Sequence, residues 1–159
     1  MPPQIKIEHL REHRAAIPGI VSWLHAQWGH LTPEVSPSKL VEIYENRLTP
    51  HQIPEAFVAL CDGEIVGTAS LVNHDMSTRM DLFPWLAAVY IKAEHRGQGI
   101  GSKLVQALMA EAKLLGLEKF YLFTPDQAAF YARLGWQVIE ETEYRGEQVT
   151  VMVYEIGPD

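Results

Sequence analysis

The sequence predicts one α+β domain, residues 1–159, built on a mixed, mostly antiparallel sheet flanked by helices. Two hairpins and one crossover predict it. Asp62-Gly63 and Arg145-Gly146 each separate two apolar, strand-like runs, which makes an antiparallel hairpin toward either end of the chain. Between them, a strand-like run, an amphipathic helix and a second strand-like run form a crossover unit, so the sheet is mixed. A chain of 159 residues suits one domain.

The elements follow in order. Residues 5–7 alternate Ile-Lys-Ile and read as a first strand. Ile17, Ile20, Val21, Leu24 and Trp28 recur at helical spacing over 15–30, with a break expected at Pro18-Gly19. Residues 37–47 read as a second helix, with Ser36 its N-cap. Strands follow over 56–61 and 64–73, and a third over 82–92 behind a polar loop at 74–81. Over 99–115 the residues Ile100, Leu104, Leu108 and Leu115 share one helix face, and Gly116 stops the helix. A strand is expected over 119–124, a short helix from Pro125-Asp126 to Leu134, and closing strands over 136–144 and 148–156.

Composition narrows the function. Twenty acidic residues against thirteen basic ones give a net charge of −7, which disfavours nucleic acid and anionic membranes as partners and suits a cationic substrate. No apolar run approaches bilayer length and no apolar leader opens the chain, so a cytoplasmic protein is expected. The lone Cys61 lies in the apolar stretch AFVALC and reads as a small buried hydrophobe. His9 and His13 have the spacing of a helical metal pair, but Glu12 does not complete the zinc-protease motif, so no metal is expected. No Gly-x-Ser-x-Gly elbow supports an acyl-serine route.

The informative segment is Glu94-His95-Arg96-Gly97-Gln98-Gly99-Ile100-Gly101-Ser102. Three alternating glycines join a strand to a helix N-terminus. Glycine lets the backbone approach a ligand closely, and the helix's first N–H groups are unpaired and favour negative charge. Such a junction cradles phosphate. The spacing fits neither the dinucleotide fingerprint nor the P-loop, which argues against a nucleotide-dependent oxidoreductase or phosphotransferase.

Arg96-x-x-Gly99-x-Gly101 resembles the coenzyme A signature of the GCN5-related N-acetyltransferases. Ala129-Phe130-Tyr131-Ala132-Arg133-Leu134-Gly135-Trp136 resembles that family's second motif, and the two sit in the family's order of strand, helix, strand and helix over 56–156. The resemblance implies a splayed central strand pair opening a cleft for acetyl-CoA. It places Arg96 and Gly97 at the entry to the pyrophosphate loop, with backbone N–H groups of Gln98, Gly99, Ile100, Gly101 and Ser102 on the phosphates. It puts Val89, Tyr90 and Ile91 along the pantetheine arm, with the Val89 N–H polarising the thioester carbonyl.

The same resemblance makes Tyr131 the hydrogen-bond donor to the leaving sulfur. A phenol can serve there, because a thiolate leaves more readily when a proton is supplied. An amine acceptor must lose a proton before attack. The polar loop before the third strand offers His74, Asp75 and Asp81 as its base, with Asp81 and His74 favoured; Glu94 and His95 sit too near the cofactor loop. Trp85 and Tyr44 are candidates for the acceptor pocket, whereas Trp23 and Trp28 are expected to pack in the core. The implied activity is direct acetyl transfer from acetyl-CoA to an amine-bearing acceptor, and a homodimer through the terminal strands is compatible with the family. A non-catalytic acyl-CoA sensor of the same fold is the alternative.

Overall fold

The computed structural model describes residues 2–157, so the ends of the expected 1–159 domain, residues 1, 158 and 159, lie outside the described residues. Seven strands form one sheet: β1 (Ile5–His9), β2 (Glu55–Cys61), β3 (Glu64–Val72), β4 (Trp85–Ile91), β5 (Lys119–Thr124), β6 (Gln137–Tyr144) and β7 (Glu147–Glu155). Their spatial order is β1-β2-β3-β4-β5-β7-β6. Four helices accompany it: α1 (Ile17–Trp28), α2 (Pro37–Glu45), α3 (Ile100–Leu114) and α4 (Ala128–Arg133). The order and type of these elements match the sequence expectation.

Every neighbouring pair is antiparallel except β4–β5, which is parallel. That pair is joined at a single register position, Trp85 opposite Tyr121, with the Tyr121 N–H donating to the Pro84 carbonyl at 3.1 Å. Beyond it the two strands separate. The expected splay is therefore present, and it divides the sheet into a β1–β4 half and a β5–β7 half.

The strand pleat sorts side chains to two faces. On one face α3 lays Ile100, Leu104, Val105, Leu108 and Ala112 against Ala59, Ala69, Leu71, Leu86, Phe120 and Leu122, with Tyr131 and Trp136 closing the same core. On the other face, α1 and α2 bury Ile17, Ile20, Leu24 and Tyr44 against Ala56 and Val58. Beside them Met76, Trp85, Ala87, Tyr121 and Val151 form a third cluster.

Several boundaries differ from the expectation. Strand β1 runs on to His9, and a 3₁₀ turn at Leu10–Ala16 then leads into α1. Pro18 does not break α1 but sits in its first turn, where no intrahelical N–H is required. Strand β4 begins at Trp85 because Pro84 precedes it. Helix α4 begins at Ala128, three residues after Pro125.

Candidate active site

A bulge in β4 lies three residues beyond its one register pair with β5. Thr68 faces Tyr90 and Ser70 faces Ala87, so Ala88 and Val89 together oppose Ala69. Ala88 takes φ of 54°, a left-handed conformation that costs a residue with a Cβ about 1–2 kcal/mol. The bulge turns Val89 and Ile91 toward the α3 face, while Tyr90 faces α1, stacked 6.1 Å from Trp23 and edge-on to Trp28 at 5.8 Å. Gly67 allows this crowding: a Cβ there would come within 2.6 Å of Ile91 and 2.8 Å of the Tyr90 carbonyl oxygen.

At the end of β4 the chain makes a 3₁₀ turn at Ala93–His95 and enters the glycine loop. Gly97 and Gly99 adopt φ of 78° and 81°, with no atom within 4 Å of where a Cβ would stand. Gly99 is the N-cap of α3 and offers no side-chain cap, so the first N–H groups of the helix have no side-chain acceptor. The buried Ile100 anchors the turn beneath. Open donors, left-handed glycines and a clear approach fit a pyrophosphate. Arg96 serves the loop itself: its Nε donates to the Ile91 carbonyl at 2.8 Å and its guanidinium lies 5.4 Å from the Tyr90 ring centre.

Tyr131 lies on α4 and packs in the core under α3. The 3.6-residue period places Phe130 and Leu134 on the core side, yet Tyr131 is the buried residue of the three. Its ring lies edge-on to Phe130 at 5.0 Å and to Trp136 at 6.2 Å. No hydrogen bond occupies its hydroxyl among the described residues. Burial, aided by the Asp126 charge, pushes its pKa up to about 12, so the phenol keeps its proton at neutral pH.

The favoured base candidates are both exposed. Asp81 is exposed and gripped by Arg79 at 3.1 and 3.2 Å, which holds its carboxyl below the usual carboxylate range. Arg79 also pairs with Glu140 on β6. His74 is exposed and lies 5.7 Å from the Phe83 ring. Trp85 is completely buried and donates from its indole N–H to the Leu82 carbonyl at 2.7 Å, so it is a core residue, not a pocket wall.

Sequence reasoning had no signal for two features of the α1–α2 face. Arg47, just beyond α2, donates to Ser70 Oγ at 2.9 Å and lies 4.6 Å over the Tyr44 ring. Asp75 is close enough for Arg47 to act on its charge, and burial pushes its pKa up to about 7. The second feature is a long-range strap. Arg145, in the β6–β7 turn, donates to the Leu31 carbonyl at 3.1 Å and pairs with Glu34 at 3.0 Å, which ties that turn to the α1–α2 connection. These residues are 111 and 114 positions apart in sequence, so no local pattern announces the contact.

The comparisons agree with this fold. Residues 53–138 match the model of the acetyltransferase (GNAT) domain. N-alpha-acetyltransferase 30 of Schizosaccharomyces pombe is 38% identical over 98 residues, 58% of this chain and 65% of that protein. Mouse N-alpha-acetyltransferase 80 is 42% identical over 48 residues, 30% of this chain and 15% of that one. The matches thus span less than two thirds of either relative. YncA from Salmonella typhimurium, solved with its cofactor acetyl-CoA, superposes with a TM-score of 0.72 at 20% identity, covering 98% of this chain and 95% of its own. The chain belongs to the GNAT acetyltransferase family. Acetyl transfer from acetyl-CoA is the chemistry that defines this class. No helix among the described residues is long and apolar enough to cross a membrane.

Proposed function

We propose that the chain is an N-acetyltransferase that passes acetyl from acetyl-CoA directly to an amine within a ternary complex. The observation that carries the reading is the parting of β4 from β5 beyond Trp85, followed along the chain by the bulge at Ala88–Val89 and the uncapped N-terminus of α3; the protonated phenol of Tyr131 agrees with it.

In this reading the loop from Gln98 to Ser102 holds the pyrophosphate on backbone N–H groups, with Arg96 and Gly97 shaping its entry. Val89, Tyr90 and Ile91 run along the pantetheine arm. The Val89 N–H steadies the charge that develops on the thioester oxygen, a contribution of roughly 3 kcal/mol for donors of this type. Tyr131 donates its proton to the departing sulfur. Asp81 and His74 offer less as the base, since one is neutralised by Arg79 and both are exposed. The two N-alpha-acetyltransferases point to the α-amine of a peptide as acceptor. A cytoplasmic location, and a dimer through the open edge of β6, belong to the same proposal.

The test is turnover. Acetyl-CoA at 100 times its dissociation constant should stabilise the fold by about 2.7 kcal/mol. A panel of free amines, including short peptides, should then release thiol from acetyl-CoA. Binding without thiol release from any amine would leave a sensor of the same fold. No stabilisation by acetyl-CoA would remove the enzyme reading altogether.

A further inference from the structure

The glycine loop has few side chains to hold its shape. Gly97 and Gly99 are left-handed and have no atom within 4 Å of where a Cβ would stand. Gln98 is exposed. Glycine has the most backbone freedom to lose, so such a loop binds a ligand weakly unless its ends are fixed beforehand. The buried Ile100 fixes the end at α3. The other end is Arg96, which is itself exposed.

What holds Arg96 comes from β4 and α1. Its Nε donates to the Ile91 carbonyl at 2.8 Å, and its guanidinium lies 5.4 Å from the Tyr90 ring centre. On Tyr90 in turn, Trp23 stacks at 6.1 Å with the ring planes 23° apart, and Trp28 meets it edge-on at 5.8 Å. Both tryptophans belong to α1, whose Ile20, Val21 and Leu24 are buried, so the aromatic group is anchored in the core beneath that helix.

A second cation repeats the arrangement. Lys92 Nζ lies 5.3 Å from the Trp23 ring centre and 3.5 Å from a Glu94 carboxylate oxygen. Lys92 and Arg96 flank the 3₁₀ turn Ala93–His95. The backbone closes that turn: the His95 N–H donates to the Lys92 carbonyl at 2.9 Å and the Arg96 N–H to the Ala93 carbonyl at 3.3 Å. The turn that leads into the glycine loop is therefore clipped at both ends to one aromatic pair, Trp23 and Tyr90. The face of a Trp or Tyr ring attracts a guanidinium or ammonium through its quadrupole, and more strongly where water is partly excluded. Trp23, Trp28 and Tyr90 are all half-buried, which meets that condition.

We propose that Trp23 is a positioning residue for the coenzyme: through Tyr90 and Arg96 it holds the glycine loop in the shape that receives the pyrophosphate. This rests on the reading that the loop binds acetyl-CoA. Helix α1 thereby acts on cofactor affinity at one remove, by ordering the loop before the ligand arrives. A tryptophan that only filled the core would behave differently. Its loss would lower stability and leave the coenzyme affinity of the folded protein unchanged.

The experiment is a double-substitution cycle read by calorimetry. Coenzyme A is titrated into wild type, Trp23→Leu, Arg96→Gln and the double variant, and the stability of each is measured by chemical denaturation without ligand. Trp23→Leu should raise the Kd for coenzyme A about tenfold at a concentration where the variant is folded. Trp23→Phe, which keeps a ring against Tyr90, should recover most of that loss. In the Arg96→Gln background, Trp23→Leu should add less than about twofold, because the path through Arg96 is already gone. Trp23→Met serves as a second variant with the same expected ratio if Trp23→Leu does not fold. An unchanged Kd in a folded Trp23 variant, or effects that multiply in the double variant, would overturn the assignment. Failure of wild type to bind coenzyme A overturns the reading of the loop, and this inference with it; binding by wild type separates the two.

Discussion

Tyr131 and Asp75 show how burial acts on opposite kinds of acid. Desolvation disfavours the charged form of each. For a phenol the result is a proton kept in place, with the pKa pushed up to about 12. For the Asp75 carboxyl it is a pKa pushed up to about 7, close to neutral pH. Tyr131→Phe keeps the ring packing against Phe130 and Trp136 and removes the donor alone. We expect kcat to fall by about 100-fold with the KM for acetyl-CoA nearly unchanged, measured by thiol release. A fall in thermal stability of more than about 1 kcal/mol would instead show that the hydroxyl has a structural partner. Cys61 needs no such account: it is a buried free thiol in β2 and packs with the α3 core.

At the scale of elements, α3 joins stability to the cofactor loop. Its inner face buries Ile100, Leu104 and Leu108 completely or nearly so, and its first turn presents the open N–H groups. Leu104→Ala should destabilise the fold by about 2–5 kcal/mol, read from a denaturant midpoint, because a cavity opens in a packed layer. Gly99→Val acts at the other end. Gly99 has φ of 81°, a conformation a β-branched residue strongly resists, although there is space for the side chain. The expected result is a loop that no longer presents its N–H groups, with acetyl-CoA affinity reduced at least tenfold in a titration. An unchanged affinity would show that the loop's backbone geometry does not hold the pyrophosphate.

At the scale of the whole molecule, a buried ionisable cluster ties the first strands to the far end of α3. Glu55, completely buried in β2, meets His9 Nε2 and the His51 backbone N–H through one oxygen, at 3.0 and 3.1 Å. It lies beside Glu111, which bonds His51 Nδ1 at 3.0 Å. Burial, and then the Glu111 carboxylate, push Glu55 up to about 8. The folded state therefore binds a proton that the unfolded chain releases near its ordinary carboxylate pKa. Stability from this group is fully present below about pH 4.5 and is lost as pH rises toward 8. Asp75 contributes in the same direction toward 7. His9, whose pKa is lowered chiefly by burial, opposes them, since its stability grows as pH rises toward 6.5. Glu55→Gln should flatten the decline between pH 6.5 and 8 in a series of chemical denaturations. An unchanged slope would place the proton elsewhere in the cluster.

Much of this protein is legible in its sequence because much of it is local. The Asp62-Gly63 and Arg145-Gly146 turns, the amphipathic stripe of α3 and the glycine loop each depend on residues within a few positions of one another, and each appears where the sequence placed it. Neighbouring residues therefore determined the order of elements, the family and the glycine loop. The tertiary structure decided what depends on distant residues. It split β4 from β5 beyond Trp85, buried Tyr131 more deeply than Phe130, and gave Asp81 to Arg79. It brought Arg47, Ser70 and Asp75 to one face and tied Arg145 to Glu34 across 111 positions. The physical reason is that desolvation and charge pairing, which set a side chain's chemistry, come from neighbours in space that a linear pattern does not contain.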